Sequence, residues 1–511
     1  MRPQIQEIPT PHTPESLAEQ LLSARQSNLV LLRTASFDSP SARYSFVAAN
    51  PFLVFRSFGS RCEITQPASR HPRRTQFGNP WQVLDALLAR CELLDEVDLP
   101  FPLGGCFGTW GYGLKNFTEP KLPRRVTDDL ELPDCHVGFY RSLVVFDHQL
   151  GKVFVVSTGL DADGSRSEVR ARNELDSWQR LLTDDGRAGS PLPAAGQWHS
   201  HQRRAPTDSP YLQSTMSRAD FIAAVESARR YIQAGDIYQV NLSQRLTAPF
   251  QFSRLPRRSL AAEPAWELFK RLSAVSPAPF AAFLDCHAGH RRDDFQIASS
   301  SPEQFLRLSG SHVITRPIKG TRPRHADPTR DAQLACELQT SPKELAELVM
   351  ITDLLRNDLG KVCEFGSVQT PELARLEKFA QVQHLVSTVQ GRLRPGVTHL
   401  AALAACFPGG SITGAPKFRA MEIIDELEPL ARGPYCGCHG YLGFNHESQL
   451  SITIRTAICR AGWAHFNVGA GIVADSNPQA EYDETLAKAD GFLAALRLEA
   501  EKPAKLVHFV H

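Results

Sequence analysis

A lysine stands between two arginines at residues 316–322, which read Arg-Pro-Ile-Lys-Gly-Thr-Arg. The β-branched run before it, residues 311–315, is typical of a strand, and Pro317 is expected to end strand pairing there. Gly320 lets the backbone turn or approach a ligand closely. The neighbouring positive charges suit an anionic substrate and an amine, on Lys319, that must lose its proton. The alternative interpretation is a surface lysine beside a turn.

Two pairs of carboxylates occur at a spacing of three residues. Glu344 and Glu347 lie in one segment of helical character, and Glu481 and Glu484 lie in another. This spacing places both members of a pair on one face of a helix. Carboxylate oxygens are ligands that Mg²⁺ takes, usually one or two directly and together with substrate oxygens. The same pattern also fits two solvated helix faces.

Three further features suit the binding of an anion or catalysis. The Gly-Ala-Gly sequence at 469–471 lets backbone N–H groups reach a carboxylate, although a tight turn explains it equally well. The glycine-rich loop at 409–417 runs into a helix N-terminus, where anions are favoured. Arg455 stands within a β-branched strand and needs a charged partner, either a ligand carboxylate or a structural ion pair. His384 is either a core histidine or a catalyst.

A small set of predicted elements positions these residues. Helices are expected at 342–357, 415–427 and 478–496, and strands at 237–245, 379–389, 441–445, 450–459 and 463–468. Strands with helices between them, without a strict βαβ rhythm, predict an α+β fold with antiparallel sheets. The Gly-, Pro- and Ser-rich stretch at 183–214 predicts a linker. It separates an N-terminal lobe at 1–182 from a catalytic domain at 215–498, with a tail at 499–511.

Composition limits the class of protein. The chain has 511 residues, 42% of them apolar, and 56 basic against 55 acidic residues give a net charge of +1. Such a chain can bury a large core, and no bulk field favours nucleic acid or a membrane. The 11 scattered cysteines are typical of reduced thiols in a cytosolic protein. Without a visible signal peptide or a long apolar run, we expect a cytoplasmic protein.

Several segments together resemble one known family. They read Pro-Ile-Lys-Gly-Thr at 317–321, Asp-Leu-Leu-Arg-Asn-Asp-Leu at 353–359, Gly-Ser-Ile-Thr-Gly-Ala-Pro-Lys at 410–417, Gly-Ala-Gly-Ile-Val at 469–473 and Asp-Glu-Thr at 483–485. In this order they are similar to motifs of the chorismate-utilising enzymes, over most of residues 215–498. The resemblance implies a two-lobed α+β protein whose core is two large antiparallel β-sheets packed face to face and surrounded by helices.

The resemblance also implies roles for individual residues. Glu303 is the general acid that protonates the departing 4-hydroxyl of chorismate, and His384 is the family's active-site histidine. Mg²⁺ grips the ring carboxylate and is held by Glu347 and Glu484, with Glu344 and Glu481 beside them. The implied substrate contacts are Gly320, Thr321, Tyr435, Arg455, Gly469, Ala470 and Gly471.

Two positions separate the branches of the family. Lys319 stands where members that make anthranilate usually carry alanine, and it matches members that aminate C4 of chorismate. Gln239, placed among the substrate contacts, stands where members that add water carry a lysine base. Because glutamine cannot act as a general base, ammonia is the expected nucleophile. We therefore expect synthesis of 4-amino-4-deoxychorismate for para-aminobenzoate and folate, with anthranilate formation as the alternative and a non-catalytic binding protein as the third hypothesis.

The last expectations concern a partner and a second ligand. No glutaminase signature occurs in the sequence, so we expect a separate glutamine amidotransferase subunit to supply ammonia. Residues near the positions that line the family's tryptophan pocket are Thr34, Arg43, Tyr44, Pro279, Phe280 and Ala281. Thr34 stands where a serine is common, and whether tryptophan binds is left open. The segment 436–440, Cys-Gly-Cys-His-Gly, departs from the family's usual smaller and more apolar pattern.

Overall fold

The computed structural model describes residues 2–34, 43–67, 73–93, 99–183, 212–250, 264–287, 294–378 and 382–496. The strands up to residue 183 are β1 (Gln4–Glu7), β2 (Val30–Arg33), β3 (Tyr44–Ala48), β4 (Leu53–Phe58), β5 (Arg61–Thr65), β6 (Arg73–Phe77), β7 (Gly105–Trp110), β8 (Cys135–Tyr140), β9 (Ser142–Asp147) and β10 (Lys152–Ser157).

The later strands are β11 (Gln213–Ser214), β12 (Gln239–Pro249), β13 (Phe280–Cys286), β14 (Phe295–Ser301), β15 (Gln304–Ser309), β16 (His312–Thr315), β17 (Ile318–Pro323), β18 (Gln369–Lys378), β19 (Val382–Arg392), β20 (Gly414–Ala415), β21 (Cys438–Gly443), β22 (Glu447–Ile452), β23 (Thr456–Arg460) and β24 (Trp463–Ile472). The helices are α1 (Pro14–Ser23), α2 (Pro80–Leu88), α3 (Lys115–Thr118), α4 (Glu168–Thr183), α5 (Arg218–Gln233), α6 (Pro264–Val275), α7 (Pro328–Thr340), α8 (Pro342–Gly360), α9 (His399–Cys406), α10 (Lys417–Leu427) and α11 (Pro478–Leu496).

The described strands form two antiparallel sheets of twelve strands each, which confirms the predicted fold class. The first sheet has the order β1-β10-β9-β3-β2-β13-β14-β23-β24-β12-β11, with β20 beside β12. The second has the order β17-β19-β16-β15-β22-β21-β7-β8-β4-β5-β6, with β18 beside β19. Each sheet joins the two halves of the chain once, through β2 against β13 and through β7 against β21.

The predicted linker and tail fall mostly on residues 184–211 and 497–511, outside the described part of the chain. The division into domains at these positions stays a prediction. What the structure describes is that strands from before and after the linker share both sheets.

Aromatic side chains pack the two sheets face to face. Phe46 of β3, in the first sheet, meets Tyr441 of β21, in the second, edge to face with ring centroids 5.1 Å apart. On the other side of the first sheet, Phe466 of β24 stacks on Phe492 of α11 with centroids 4.5 Å apart. Burying each such ring stabilises the fold by about 1.5–3 kcal/mol. The second contact fixes α11, which carries one pair of carboxylates, against the sheet.

The two helices with paired carboxylates form largely as predicted. Ser341 caps α8 by accepting a hydrogen bond from the backbone N–H of Glu344, and Pro342 occupies the first turn. Both features are typical of a helix start. Helix α11 spans residues 478–496 as expected. Within the described ranges, no helix is long and apolar enough to cross a membrane. All 11 cysteines are free thiols, as predicted, and ten of them are buried.

Two strand predictions were wrong. Residues 450–459 were expected to form one strand, but β22 lies in the second sheet and β23 in the first. The chain crosses between the sheets at residues 453–455, where Arg455 has a φ of 48°. Residues 316–322 were expected to follow a strand as a turn, yet most of them form β17, which pairs with β19. In both cases tertiary pairing overrides the local preference.

Candidate active site

A cavity of about 710 Å³ opens where β12, β17, β19, β24, α8 and α11 approach one another. It collects most of the residues that the sequence singled out from distant segments. Those lining it are Glu303, Lys319, Gly320, Thr321, Glu344, Glu347, His384, Tyr435, Arg455, Gly469, Gly471, Glu481 and Glu484. Ala470 is not among them, because it points to the other face of β24 and packs in a cluster with Leu242 and Ile472.

Lys319 is aimed by a bulge in β17. The pairing of β17 with β19 shifts register between Lys319 and Thr321, and Gly320 between them has a φ of 69°. A Cβ on Gly320 would lie 2.6 Å from Leu338 Cδ1 and 3.0 Å from Glu344 Oε2. Both the backbone conformation and the lack of space therefore require glycine here. A bulge of this kind redirects the neighbouring side chains of its strand.

One oxygen of Glu347 faces two nitrogen groups. The Nε2 of Gln239 donates a hydrogen bond to Glu347 Oε2 at 3.1 Å, and Lys319 Nζ lies 3.7 Å from the same oxygen. A Cβ on Gly471 would lie 3.0 Å from Gln239 Nε2 and 3.8 Å from Lys319 Nζ. The glycine thus makes room for both side chains. Gln239 is 2% exposed and is not among the residues that line the cavity.

The two carboxylate pairs face the same cavity and are mostly balanced by cations. Arg322 lies 3.3 Å from Glu344, and Lys488 lies 2.8 Å from Glu484. Burial, helped by the charge of Glu484, raises the pKa of Glu481. Carboxylate oxygens from two helices are nevertheless the type of ligand that a hard cation takes.

Magnesium binding stays a prediction. In the part of the chain that the structure describes, no three His, Cys, Asp or Glu side chains converge as a metal-binding group. Mg²⁺ typically uses only one or two protein carboxylates and completes its shell with water and substrate oxygens. Glu347 of α8 and Glu484 of α11 would supply two carboxylate ligands, which agrees with this mode of coordination.

Glu303 connects β14 to β15 and is 7% exposed. Burial raises the pKa of its carboxyl to about 7, although the Ser411 hydroxyl, the charge of Lys319 and the backbone N–H of Ile318 act in the opposite direction. A carboxyl with such a pKa carries its proton for much of the time at neutral pH. Such a carboxyl can act as a general acid, and this role, which the resemblance implies for Glu303, stays a prediction.

His384 is held by β17. Its Nδ1 lies 2.9 Å from Thr321 Oγ1 and 3.3 Å from the carbonyl oxygen of Gly320. Because a carbonyl oxygen only accepts, Nδ1 carries the proton in that contact. Burial lowers the pKa of His384 to about 4, and the charge of Arg455 acts in the same direction. The imidazole is neutral at pH 7, so it can orient Thr321 or a substrate without adding charge.

Arg455 is a cation that lines the cavity. It lies at the crossing from β22 to β23, where its left-handed backbone is anchored by the Ser300 N–H, which donates to the Arg455 carbonyl at 3.0 Å. Burial lowers the pKa of its guanidinium. Among the described residues it forms no ion pair, so the structural alternative considered from the sequence is not realised. The other alternative, contact with a ligand carboxylate, stays a prediction.

The cavity also has polar lining residues that were not predicted from the sequence. Among them are Asn241, Lys343, Asn467 and Lys488. A signal existed for Lys488, which lies one helical turn after Glu484 and also donates to the carbonyl of Gly469 at 2.8 Å. A signal existed for Asn241 too, since residues two apart on a strand share a face with Gln239. Nothing local marked Asn467.

The glycine-rich loop at 409–417 mainly serves packing. Ser411 and Ile412 reach the cavity, but a Cβ on Gly410 would lie 2.5 Å from Leu354 Cδ2. Lys417, at the start of α10, forms an ion pair with the fully buried carboxylate of Asp358. Two of the motifs behind the family resemblance therefore meet in a buried ion pair that holds α10 against α8.

The residues near the expected tryptophan pocket lie apart from this cavity, between the two sheets. Thr34, Tyr44, Phe280 and Ala281 line a cavity of about 30 Å³, room for about one or two waters. Pro279 and Arg43 do not line it, and Arg43 instead pairs with Asp147 at 2.6 Å. Tryptophan binding here stays a prediction. His439, from the segment that departs from the family pattern, also lines this small cavity.

The fold and the cavity define a class of protein that the comparisons identify. Residues 34–494 match the family described as chorismate binding enzyme, and the chain belongs to this family. It is similar to aminodeoxychorismate synthase component 1 of Escherichia coli (strain K12), with 37% identity over 484 residues, 94% of this chain and 96% of the relative.

Anthranilate synthases are similar to this chain to about the same degree. Anthranilate synthase component 1 of Thermus thermophilus is 40% identical over 445 residues, 87% of this chain and 86% of the relative. The crystal structure of anthranilate synthase component I from Streptococcus pneumoniae TIGR4 has a TM-score of 0.70 and 31% identity, covering 90% of this chain and 94% of that one. Because both groups match at similar identity, the likeness establishes the family and leaves the individual reaction open.

Proposed function

We propose that this protein makes 4-amino-4-deoxychorismate from chorismate and ammonia. The observation that carries the proposal is the position of Lys319, whose amine lies 3.7 Å from Glu347 and close enough to Glu303 to lower the pKa of that carboxyl. A lysine in a cavity with a half-protonated acid is the arrangement that a covalent displacement requires.

Two displacements explain the need for a lysine. Nζ of neutral Lys319 bonds to C2 of chorismate, both ring double bonds shift by one position, and the C4–O bond breaks as Glu303 protonates the departing hydroxyl, which leaves as water. Ammonia then bonds to C4, both double bonds shift back, and the C2–Nζ bond breaks to restore neutral Lys319. A proton of the new C4 ammonium returns to Glu303. Each step exchanges one bond for another, and the amine ends at C4 with the configuration of the lost hydroxyl.

The remaining cavity residues support binding. Arg455 would take a substrate carboxylate, and the backbone beside Gly469 and Gly471 allows close approach of the substrate. Glu347 and Glu484 would hold Mg²⁺, with Glu344 and Glu481 beside them; when bound, the metal supplies positive charge for the ring carboxylate. His384 stays neutral and hydrogen-bonded, which keeps Thr321 oriented.

We further propose that ammonia comes from a separate glutamine amidotransferase subunit. The designation component 1 in the names of the relatives and the lack of a glutaminase signature in the sequence support this. The isolated chain should form no product with glutamine, and an ammonium salt at alkaline pH should restore the product without a partner. Hydrolysis of glutamine by the isolated chain would contradict the two-subunit proposal.

The second candidate is anthranilate formation, which the similarity to anthranilate synthases favours. One incubation of the purified protein with chorismate, Mg²⁺ and an ammonium salt separates the candidates. Liquid chromatography with mass detection should find aminodeoxychorismate and no pyruvate. Anthranilate with equimolar pyruvate would replace the first proposal by the second, and unchanged chorismate would contradict both.

A further inference from the structure

In two asparagine side chains of the cavity, the amide oxygen accepts no hydrogen bond from any described residue. Oδ1 of Asn241 and Oδ1 of Asn467 are both buried, and neither has a hydrogen-bond partner within the described ranges. Both residues line the cavity that holds Lys319. An unpartnered buried carbonyl costs about 1–3 kcal/mol. Two of them in one cavity point to a ligand that brings donors.

The two carbonyls flank one notch in the cavity wall. A Cβ on Gly469 would lie 2.9 Å from Asn241 Oδ1 and 2.9 Å from Tyr435 Oη, so the missing side chain leaves a small polar space. Asn467 precedes Gly469 by two residues on β24 and therefore lies on the same face of the strand. It is 8% exposed. Asn241 pairs with Gly471 and Asn467 with Arg245, so Gly469 lies midway between the two asparagines along the paired strands.

The backbone around Asn241 is fixed, so relaxation cannot supply a partner easily. The N–H of Asn241 donates to the Thr413 carbonyl at 2.8 Å, and Arg432 donates to the Asn241 carbonyl at 2.7 Å. Arg432 is itself held by Glu428 in a buried ion pair at 2.6 Å. The strand presents Asn241 to the cavity in a set position, as a preorganised acceptor.

We propose that the carbonyl oxygens of Asn241 and Asn467 bind the ammonia that attacks the substrate. Chorismate brings two carboxylates, which only accept, and one hydroxyl donor, which is too few for two carbonyls, whereas ammonia brings three N–H donors and one lone pair. Acceptors that hold the N–H groups leave the lone pair free to attack. The inference rests on the proposed function only in that ammonia is a substrate, and it holds whether the product is aminodeoxychorismate or anthranilate.

The test compares the effect of each substitution on KM for ammonia with its effect on KM for chorismate. Asn241→Leu and Asn467→Leu keep the side-chain size and remove the acceptor. With ammonium chloride as the nitrogen source, each should raise KM for ammonia about five- to tenfold, the effect of losing one neutral hydrogen bond. KM for chorismate should change less than about twofold, because the acceptors do not serve its carboxylates. Asn467→Asp keeps an acceptor at this position. Unlike Asn467→Leu, it should therefore have a KM for ammonia near that of the wild type.

A matched control is available in α3. Oδ1 of Asn116 is also buried and without a partner, but Asn116 does not line the cavity, and Asn116→Leu should change neither constant. If both constants rise together, or neither rises, in variants that retain the wild-type melting temperature, the inference is wrong. A wild-type protein that forms no aminated product at all would instead refute the proposed function, so the two failures are distinguishable.

Discussion

Lys319 and Glu347 lie 3.7 Å apart, within the range of charge attraction but beyond hydrogen-bond length. The hydrogen bond to the facing carboxylate oxygen comes instead from Gln239, at 3.1 Å. The amine is therefore attracted to the carboxylate without being locked onto it. A lysine held in this way can swing toward a substrate, which a fully hydrogen-bonded ammonium could not do at so small a cost.

Covalent attack by Lys319 is the first prediction. After a quench with chorismate and Mg²⁺ in the absence of ammonia, intact-mass measurement should find a dehydrated chorismate adduct that maps to Lys319. Lys319→Ala should carry no adduct and should shift its product toward anthranilate, because it recreates the alanine of that branch. Native-rate C4 amination by Lys319→Ala without an adduct would reduce the lysine to a binding residue.

The second prediction concerns the metal. Glu347→Gln removes one of the few direct carboxylates available to Mg²⁺, so calorimetric affinity for Mg²⁺ should fall by at least about a hundredfold, and turnover should be lost. The melting temperature should stay close to that of the wild type. Glu337→Gln, on an exposed carboxylate of α7 paired with Arg330, is the matched control and should bind metal normally. Unchanged affinity in Glu347→Gln would exclude the metal role.

Glu303 makes stability depend on pH in a defined direction. Its pKa rises from 4.5 to about 7 on folding, mainly through burial. The folded state then binds more protons than the unfolded state between these values, so this contribution is complete below pH 4.5 and is lost as pH rises to about 7. The loss amounts to about 3 kcal/mol.

Urea denaturation at pH 4.5 and pH 7.5 measures this contribution. The free energy of unfolding of the wild type, minus that of Glu303→Gln, should be about 3 kcal/mol smaller at the higher pH. Groups that titrate in both proteins cancel in the difference. A difference that does not vary with pH would show that Glu303 has an ordinary pKa and would weaken its role as the general acid.

Arg455 provides the fourth prediction. Because no carboxylate of the described residues pairs with it, Arg455→Ala should leave the fold intact yet raise KM for chorismate by at least about a hundredfold, the expected loss of a charged hydrogen-bonded pair. Arg455→Lys should recover only part of this, since an ammonium cannot make a bidentate contact. Arg419→Ala, on a half-buried arginine of α10 that does not line the cavity, should bind chorismate normally. Equal chorismate affinity in all three variants would rule out the carboxylate contact.

Local sequence patterns predicted some parts of this site well. Helix α11 has Pro478 in its first turn and a spacing that fixes Glu481 and Glu484 on one face, and both properties depend only on neighbouring residues. The same holds for α8. The grouping of Lys319, Glu303, His384 and Arg455 came from motif resemblance, and the cavity brings all four together.

Other parts depend on contacts that no local pattern reveals. Arg455 lies in a β-branched run with high strand propensity, yet the chain leaves one sheet for the other at that position. Residues 316–322 look like a turn because of Pro317 and Gly320, but β19 pairs with them and Gly320 becomes a bulge. Asn467 lines the cavity only because one face of β24 is directed toward it, and no neighbouring residue in the sequence indicates this.

The sharing of both sheets by the two halves of the chain has a consequence during synthesis. Strand β2 pairs with β3 nearby, but its second partner is made about 250 residues later; β7 pairs with β8, and its second partner follows about 330 residues later. At about 5–20 residues per second, ribosomes need on the order of 10–70 s to make that length. Through this interval the nascent chain exposes unpaired strand edges, which other chains can pair with. The protein should therefore be a strong client of chaperones that bind nascent chains.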